Sequence, residues 1–231
     1  MAGERVLGVD ACKAGWVGVA LAGAGSTVHV AASIGELVAV ADADGPVEVV
    51  AIDIPIGLPD AGRRQADLMA RARIGRLWPS VFLTPVRAAL LAADHPTAVA
   101  VSRERAGGGV SVQAYGLRAK VLQVDRWVRD TDRRVVEVHP EVSFAALAGA
   151  PLTERKHTWA GAVRRRRLLA EAAGITLADD IGPAGHGAAV DDVLDAAVVA
   201  WTARRVAHGD ARPLPDPPET FSDGLQAAIW S

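Results

Sequence analysis

Near its start the sequence reads Val6-Leu7-Gly8-Val9-Asp10, then Ala11-Cys12-Lys13-Ala14-Gly15, then Trp16-Val17-Gly18-Val19-Ala20-Leu21. Two apolar runs around a short connection that contains glycine predict a β-hairpin. Asp10 then ends a buried strand, where aspartate is disfavoured and an unpaired carboxylate is costly. A lone aspartate at a strand end is more often a turn acceptor than a ligand, yet an acid at this position usually has a reason to be there.

The composition indicates one large domain, residues 1–231. Half of the 231 residues are hydrophobic, which is enough to bury a full-sized core. A single cysteine, Cys12, excludes an internal disulfide. The longest apolar run, around Ala196 to Trp201, is too short to span a bilayer, and the early first strand leaves no room for a signal peptide. We therefore expect a cytoplasmic protein with no membrane partner.

The charge is unevenly distributed along the chain. The formal net charge is −2, which alone argues against a nucleic-acid binder, but residues 61–170 contain 20 basic and 9 acidic residues, a net +11. The remainder carries a net −13. A basic segment that meets phosphates and an acidic remainder that holds cations would explain this asymmetry. Ordinary solvated arginines on helices would explain it equally well.

The order of the next elements places a second aspartate beside the first. Residues 27–32 are predicted to form a third strand, and residues 33–41 a short helix with a capping box of Ser33 and Glu36. Residues 47–54 then form a fourth strand that delivers Asp53 at its end. A β-β-β-α-β order places this strand parallel to the first, through a helical crossover. We expect Asp10 and Asp53 at adjacent strand ends.

The middle of the chain is predicted to be mostly helical. Residues 60–133 form a basic helical insertion, and residues 135–139 a fifth strand that carries Glu137 and ends at Pro140. Within the insertion, Arg64, Asp67 and Arg71 have the spacing of a surface ion-pair ladder.

The predictions for the remaining segments are less informative. A helix over residues 156–173 carries Arg164 to Arg167, and because four consecutive positions point around most of a helix, they indicate a solvated surface. Residues 213–231 are rich in proline and then weakly apolar. We assign them no role.

The last predicted helix, residues 191–205, carries three aspartates near its start. Acidic residues favour a helix N-terminus, which is a structural explanation for Asp191 and Asp192. Asp195 lies one turn further into an almost wholly apolar helix that must be buried, so it has no such explanation. Asp192 and Asp195 have i, i+3 spacing, which projects both carboxylates from one face.

Convergence of these carboxylates would require a cation. Two carboxylates about 4 Å apart repel each other by roughly 4 kcal/mol at an effective dielectric near 20. Hard oxygen ligands without a cysteine or histidine cluster favour Mg²⁺ or Mn²⁺ over zinc. Two such ions are a common device for cleaving phosphodiester bonds.

Several ordered motifs, between Leu7 and about Trp230, resemble those of a known family. They are Gly8-Val9-Asp10 with Gly15-Trp16, residues 51–59, Arg71 with Gly75, Ser80-Val81-Phe82, Ser111 with Gln113, residues 137–141 with Ser143-Phe144, and residues 191–196. The chain is similar to the predicted RNase H-like nuclease family, domain of unknown function 429. The resemblance implies an α/β fold with an RNase H-like mixed five-stranded sheet. Its first three strands are antiparallel, its fourth and fifth are parallel to the first, helices flank it, and a helical insertion separates the fourth strand from the fifth.

The resemblance also implies site residues. Asp10, Asp53 and Asp195 match the metal-binding acids of RNase H-like enzymes and resolvases, with Asp192 and Glu137 as further candidate catalytic acids. Residues expected at the substrate are Lys13, Arg71, Ser80, His139 and Glu141, although Lys13 is equally explained as a solvated charge and His139 as a strand-end residue. The implied substrate is a nucleic acid or nucleotide, and the resolvases of this fold suggest a homodimer. The long insertion departs from a minimal RNase H core and puts the usual substrate in doubt.

Two other function classes remain open. An actin-like or sugar-kinase-like phosphotransferase also begins with a strand, an aspartate and a hairpin, but the sequence has neither a second copy of the core nor a Gly-Thr phosphate loop after Asp10. Binding of ATP with turnover would support it. A non-catalytic scaffold that binds nucleotide or nucleic acid is the third possibility, which metal-dependent turnover would exclude.

Overall fold

The computed structural model describes residues 4–231 as an α/β molecule built on a seven-stranded sheet. The strands are β1 (Arg5–Cys12), β2 (Gly15–Ala22), β3 (Gly25–Ala31), β4 (Val49–Ile52), β5 (Arg134–Val138), β6 (Pro213–Thr220) and β7 (Gln226–Trp230). The helices are α1 (Ile34–Asp42), α2 (Gln65–Arg73), α3 (Arg87–Leu90), α4 (His95–Ala106), α5 (Val112–Gly116), α6 (Arg118–Trp127), α7 (Pro140–Ala148), α8 (Trp159–Glu171), α9 (Ala184–Gly187) and α10 (Val190–His208). A 3₁₀ helix spans Gly75–Ser80.

The strand order is β3-β2-β1-β4-β5-β7-β6. β1 and β2 pair antiparallel as the predicted hairpin, and β3 pairs antiparallel with β2. β4 pairs parallel with β1, and β5 pairs parallel with β4. The helix between β3 and β4 is α1, whose capping box joins Ser33 and Glu36 as the sequence predicts. The crossover therefore brings the ends of β1 and β4 side by side.

The sheet has seven strands rather than the five predicted. Residues 213–231, to which the sequence analysis assigns no role, form β6 and β7. β7 pairs parallel with β5, and β6 pairs antiparallel with β7 at the sheet edge. Proline cannot donate to a central ladder but is tolerated at an edge, which explains why the proline-rich β6 gives no ordinary strand pattern.

Two apolar layers cover the sheet. One face packs against α10, with Val6, Val17 and Val136 among the buried residues. The other face packs against α1 and α6, with Leu7, Val9 and Ile52 buried there. Alternation along β1 therefore directs Gly8 and Asp10 to the same side as Val6, toward α10. None of the helices in residues 4–231 is long and apolar enough to cross a membrane.

The insertion between β4 and β5 holds α2 to α6. The predicted pairing of Arg64 with Asp67 is present, with Nε of Arg64 3.8 Å from Oδ1 of Asp67, but it does not lie at the surface, because the two residues are 0% and 2% exposed. Arg64 also donates to Glu137 on β5, at 2.5 Å. An i, i+3 spacing places two residues on one helix face but does not say whether that face meets solvent, so the sequence pattern could not distinguish the two cases.

The run Arg164 to Arg167 is likewise not uniformly solvated. Arg165 is 0% exposed and donates to Glu141 at 2.6 Å, while Arg164, Arg166 and Arg167 are exposed. One position of four consecutive helical residues must face the core, and here a buried carboxylate on α7 neutralises it. α8 also starts later than predicted, at Trp159 after the Thr158 cap, so Lys156 lies in the preceding loop.

Candidate metal centre

Gly8 sets the separation between β1 and α10. A Cβ atom at this position would collide with the backbone carbonyl oxygen of Ala196 and the backbone nitrogen of Ala200. Glycine alone permits such close backbone approach. Asp10 lies two residues further along the same face of β1, and Asp195 immediately precedes Ala196. The contact therefore holds the carboxylates of β1 and α10 at one end of the sheet.

Asp53 joins them from the neighbouring strand. Val9 on β1 is in register with Ile52 on β4, and the Asp53 backbone N–H donates to the Val9 carbonyl at 2.9 Å. Asp10 and Asp53 thus follow paired residues of two parallel strands and lie side by side as the sequence predicts, although β1 does not end at Asp10 but continues to Cys12. The Asp10 side chain is 6% exposed and accepts a hydrogen bond from the Ala11 N–H at 2.6 Å.

The first turns of α10 supply the remaining aspartates. Asp195 is 1% exposed. Asp192 is half-buried and accepts from the Ala189 N–H at 3.1 Å, which satisfies one of the free donors at the helix start. Oδ2 of Asp191 lies 3.0 Å from Nδ1 of His157. Asp192 therefore has a capping role that Asp195 lacks.

Lys156 is the cation that faces these carboxylates. Its Nζ lies 2.5 Å from Oδ2 of Asp195 and 3.7 Å from Oδ2 of Asp191. Burial opposes its charge, but the neighbouring Asp195, Asp10 and Asp53 raise the pKa of Lys156 above its usual value. No sequence pattern marks Lys156, because it lies in a loop distant in sequence from the aspartates that it contacts.

Burial is the main cause of the raised pKa values of the aspartates in this centre. It raises the pKa of Asp10 well above the ordinary value, with further increases from Asp53 and Asp195. It also raises the pKa of Asp53, against the effects of His139 and Lys156, and raises that of Asp195 to about 7 against the effect of Lys156. One lysine does not neutralise three carboxylates. A further positive charge would stabilise their ionised forms.

A cavity of about 310 Å³ opens onto the centre. Residues that line it and were predicted from the sequence are Asp10, Asp53, Ser80, His139, Glu141, Asp192 and Asp195. Residues not assigned a site role include Phe82, Gln113, Leu117, Lys156 and His157. Ser80, Phe82, Gln113 and Leu117 all come from the insertion, so the insertion forms one wall of the cavity and narrows the approach to the carboxylates.

Three predicted site residues have other surroundings. Glu137 lies against Arg64 and accepts a hydrogen bond from the Ile56 N–H at 2.7 Å. Glu137 is not among the described residues that line the cavity. Arg71 donates to the Val81 carbonyl at 2.7 Å and lies over the Trp78 ring. Lys13 is exposed in the β1–β2 turn. Within the described chain, neither Arg71 nor Lys13 lines the cavity.

Carboxylate oxygens are suitable ligands for Mg²⁺ or Mn²⁺. Among residues 4–231, Oδ1 of Asp195 and Oε2 of Glu141 are buried without a hydrogen-bond partner, as is Nδ1 of His139. Buried polar atoms are normally paired, so these oxygens have free capacity for a cation. In the same range no three acidic, histidine or cysteine side chains are arranged closely enough to hold an ion as they stand. The ammonium group of Lys156 lies beside Asp195 and supplies a positive charge there.

Comparison with known proteins identifies the family but no activity. Neither a curated protein nor a solved structure matches the chain. The family model described as Protein of unknown function (DUF429) matches residues 8–220, and the chain therefore belongs to that family.

Proposed function

We propose that this protein is a divalent-metal-dependent nuclease or phosphodiesterase with an RNase H-like fold. The observation that carries the proposal is the convergence of Asp10, Asp53 and Asp195 on one cavity, where the ammonium group of Lys156 pairs with Asp195. Carboxylates at two adjacent parallel strand ends and on a helix packed across them form an oxygen-rich centre suited to Mg²⁺ or Mn²⁺. When bound, such ions activate water and stabilise the leaving oxygen in phosphodiester cleavage.

The residues of the chain have separate tasks in this proposal. Asp10, Asp53 and Asp195 would hold the ion, and Asp192 fixes the start of α10 while contributing a carboxylate to the same cavity. Lys156 pairs with Asp195, so its ammonium group would have to give way to an ion at that carboxylate. His139 and Ser80 also line the cavity and would contact a substrate phosphate or its attacking water.

A nucleic acid or nucleotide fits the surroundings of the centre. The segment of residues 61–170, with its net charge of +11, contributes Ser80, Phe82, Gln113, His139, Glu141 and Lys156 to the cavity wall. Positive charge around an acidic metal site attracts phosphates while the ion reduces repulsion at the carboxylates. A homodimer remains a prediction from the family resemblance, which sedimentation at several concentrations would test.

The deciding experiment is Mn²⁺ binding by calorimetry, followed by cleavage of labelled RNA, DNA, hybrid and junction substrates on the same samples. Wild type should bind Mn²⁺ and cleave one class of substrate, whereas Asp10→Asn should lose both properties. Asp132→Asn is the matched control, because Asp132 is exposed and lies outside the cavity. Equal Mn²⁺ binding and cleavage by wild type and Asp10→Asn would overturn the proposal.

A non-catalytic scaffold is the second candidate. Its specific support is the ion pair between Lys156 and Asp195, which gives the acidic centre an internal cation without any metal. Under this alternative, wild type binds no Mn²⁺ even in the presence of nucleic acid and cleaves no substrate. An ATP titration on the same sample tests the phosphotransferase alternative, which requires both binding and turnover.

A further inference from the structure

A second cavity, of about 280 Å³, is mainly apolar. Its walls include Leu177, Ile181, Val193 and Leu194, with Trp159 and Val190 at solvent. The Trp159 side chain is 86% exposed and that of Val190 is 69% exposed. Large apolar side chains clustered at the surface around a cavity are typical of a binding site.

Two segments line both cavities. In the loop before α8, Lys156 and His157 border the carboxylate centre, whereas Trp159, two residues later, borders the apolar cavity. At the start of α10, Asp192 and Asp195 face the carboxylate centre, whereas Val193 and Leu194 face the apolar cavity. The two cavities are therefore bordered by neighbouring residues of the same two segments, an arrangement that a ligand with an anionic group and an apolar ring would need.

The apolar cavity also has polar groups at its border. Arg166 and Asp179 line it and form an ion pair of 2.6 Å, and both side chains are largely exposed. This pair offers hydrogen-bond donors and an acceptor next to an indole surface. A flat ring with donors and acceptors on its edge matches that combination. The volume is close to the lower end of small-molecule sites, about 300 Å³, which suits one ring system rather than a longer ligand.

We propose that this cavity binds an unpaired nucleobase, stacked on Trp159, of a nucleotide whose phosphate lies at the carboxylate centre. The inference rests on the proposed function and narrows its substrate class. A base inside a duplex is stacked on both sides and cannot reach an indole ring, so the substrate presents a single-stranded or extruded base. Stacking on an aromatic side chain tolerates different bases, and the Arg166–Asp179 pair would set any preference among them.

The first test uses adenosine, which lacks phosphate and so measures the cavity independently of any metal. Calorimetry or saturation-transfer NMR would compare wild type with Trp159→Ala and with Leu91→Ala, an exposed apolar control outside the cavity. Loss of one base-stacking contact should weaken adenosine binding roughly tenfold. Because Trp159 is so exposed, its removal should leave the thermal unfolding midpoint unchanged. Val190→Ser provides a second variant at the same cavity.

The second test separates this inference from the nuclease proposal. Single-stranded oligonucleotides with and without one abasic site would be bound and cleaved in Mn²⁺ by wild type and Trp159→Ala. We expect Trp159→Ala to weaken binding of the intact strand and to leave binding of the abasic strand unchanged. Adenosine binding without cleavage would support the base site and reject the nuclease. If the protein cleaves but wild type and Trp159→Ala bind adenosine equally, the base site alone would be rejected. The same holds if the protein cleaves but neither form binds adenosine.

A protein occupant would give a different result. If the cavity instead received an apolar side chain from a second copy of this chain, wild type would sediment as a dimer and Trp159→Ala as a monomer, and adenosine would bind neither species specifically. That result would also overturn the inference.

Discussion

Two clusters of buried charge lie at the same end of the sheet, and they differ in how their carboxylates are neutralised. In the first, Arg64 donates to Glu137 at 2.5 Å and to Thr84 at 3.1 Å, while the Thr84 N–H donates to Asp67 at 2.7 Å. In the second, Asp10, Asp53 and Asp195 share Lys156 and border a cavity. We call them the closed cluster and the open cluster.

The two clusters differ in the space that borders their acids. Both contain buried acids, although helical spacing predicts that Asp67 lies at the surface. In the closed cluster Asp67 and Glu137 share Arg64 and accept further hydrogen bonds, and the cavity that they help to line measures only about 20 Å³. In the open cluster Asp10, Asp53 and Asp195 share Lys156 beside a cavity of about 310 Å³, and an oxygen of Asp195 has no partner within the described residues. Incomplete neutralisation next to a cavity, rather than burial alone, indicates a site.

The largest expected effect is on the stability of the closed cluster. Arg64→Met would leave Asp67 and Glu137 buried without their cation, which should lower the free energy of unfolding by about 3–5 kcal/mol. Burial already raises the pKa of Glu137 to about 7, so the loss should be greatest above pH 7, where Glu137 is ionised. Urea denaturation at several pH values would measure it.

The control for this prediction is Arg63→Met. Arg63 is the exposed neighbour of Arg64 in sequence, and its replacement should change the free energy of unfolding by less than about 0.5 kcal/mol. Equal stability of the Arg63 and Arg64 variants would show that the closed cluster is not a structural element.

The next largest effect is expected on metal affinity at the open cluster. Lys156→Met removes the internal competitor for Asp195, so Mn²⁺ should bind roughly tenfold more tightly, a change of about 1.4 kcal/mol. In chelator the same variant should be less stable than wild type, because its carboxylates lose their cation. Lys13→Met, at an exposed lysine, is the matched control. Weaker Mn²⁺ binding by Lys156→Met would mean that Lys156 assists the ion rather than competing with it.

A smaller effect is expected from pH in the metal-free protein. Burial, with Asp53 and Asp195 nearby, raises the folded-state pKa of Asp10 above its ordinary value of 3.8. Its contribution to stability is therefore fully present below the unfolded-state pKa and is lost as pH rises through the folded-state pKa. In chelator, the unfolding free energy of wild type should fall more steeply with rising pH than that of Asp10→Asn. Parallel profiles for the two proteins would contradict the shift.

The smallest effect is expected at Lys13. The sequence makes Lys13 a candidate contact for a substrate phosphate, but this side chain is exposed in a turn and does not border the cavity in the described chain. Lys13→Ala should therefore change the rate of cleavage by less than about twofold, since exposed charges contribute little to specific contacts. Steady-state cleavage assays at two salt concentrations would check this, and a large loss of rate at both would restore Lys13 to the site.

The acids of the site were more predictable than their partners. Hairpin and crossover rules place Asp10 and Asp53 at neighbouring strand ends, and the apolar surroundings of Asp195 mark it as unusual. Lys156 and Arg165 were missed as partners because ion pairs between distant segments leave no periodic pattern in the sequence. Arg64 and Asp67 were misassigned for a related reason, since helical spacing is the same on a buried face as on an exposed one. The weak strand pattern of β6 follows from its prolines.

The contact between Gly8 and α10 limits how this site can change over generations. The atoms that a larger residue 8 would meet belong to the backbone at Ala196 and Ala200, not to side chains. A substitution on α10 changes a side chain but leaves these backbone atoms in place. A second mutation on α10 therefore cannot easily compensate for a larger residue at position 8. Suppressor selection on Gly8→Ala should return mainly true revertants, which makes this glycine a fixed point around which the rest of the centre can vary.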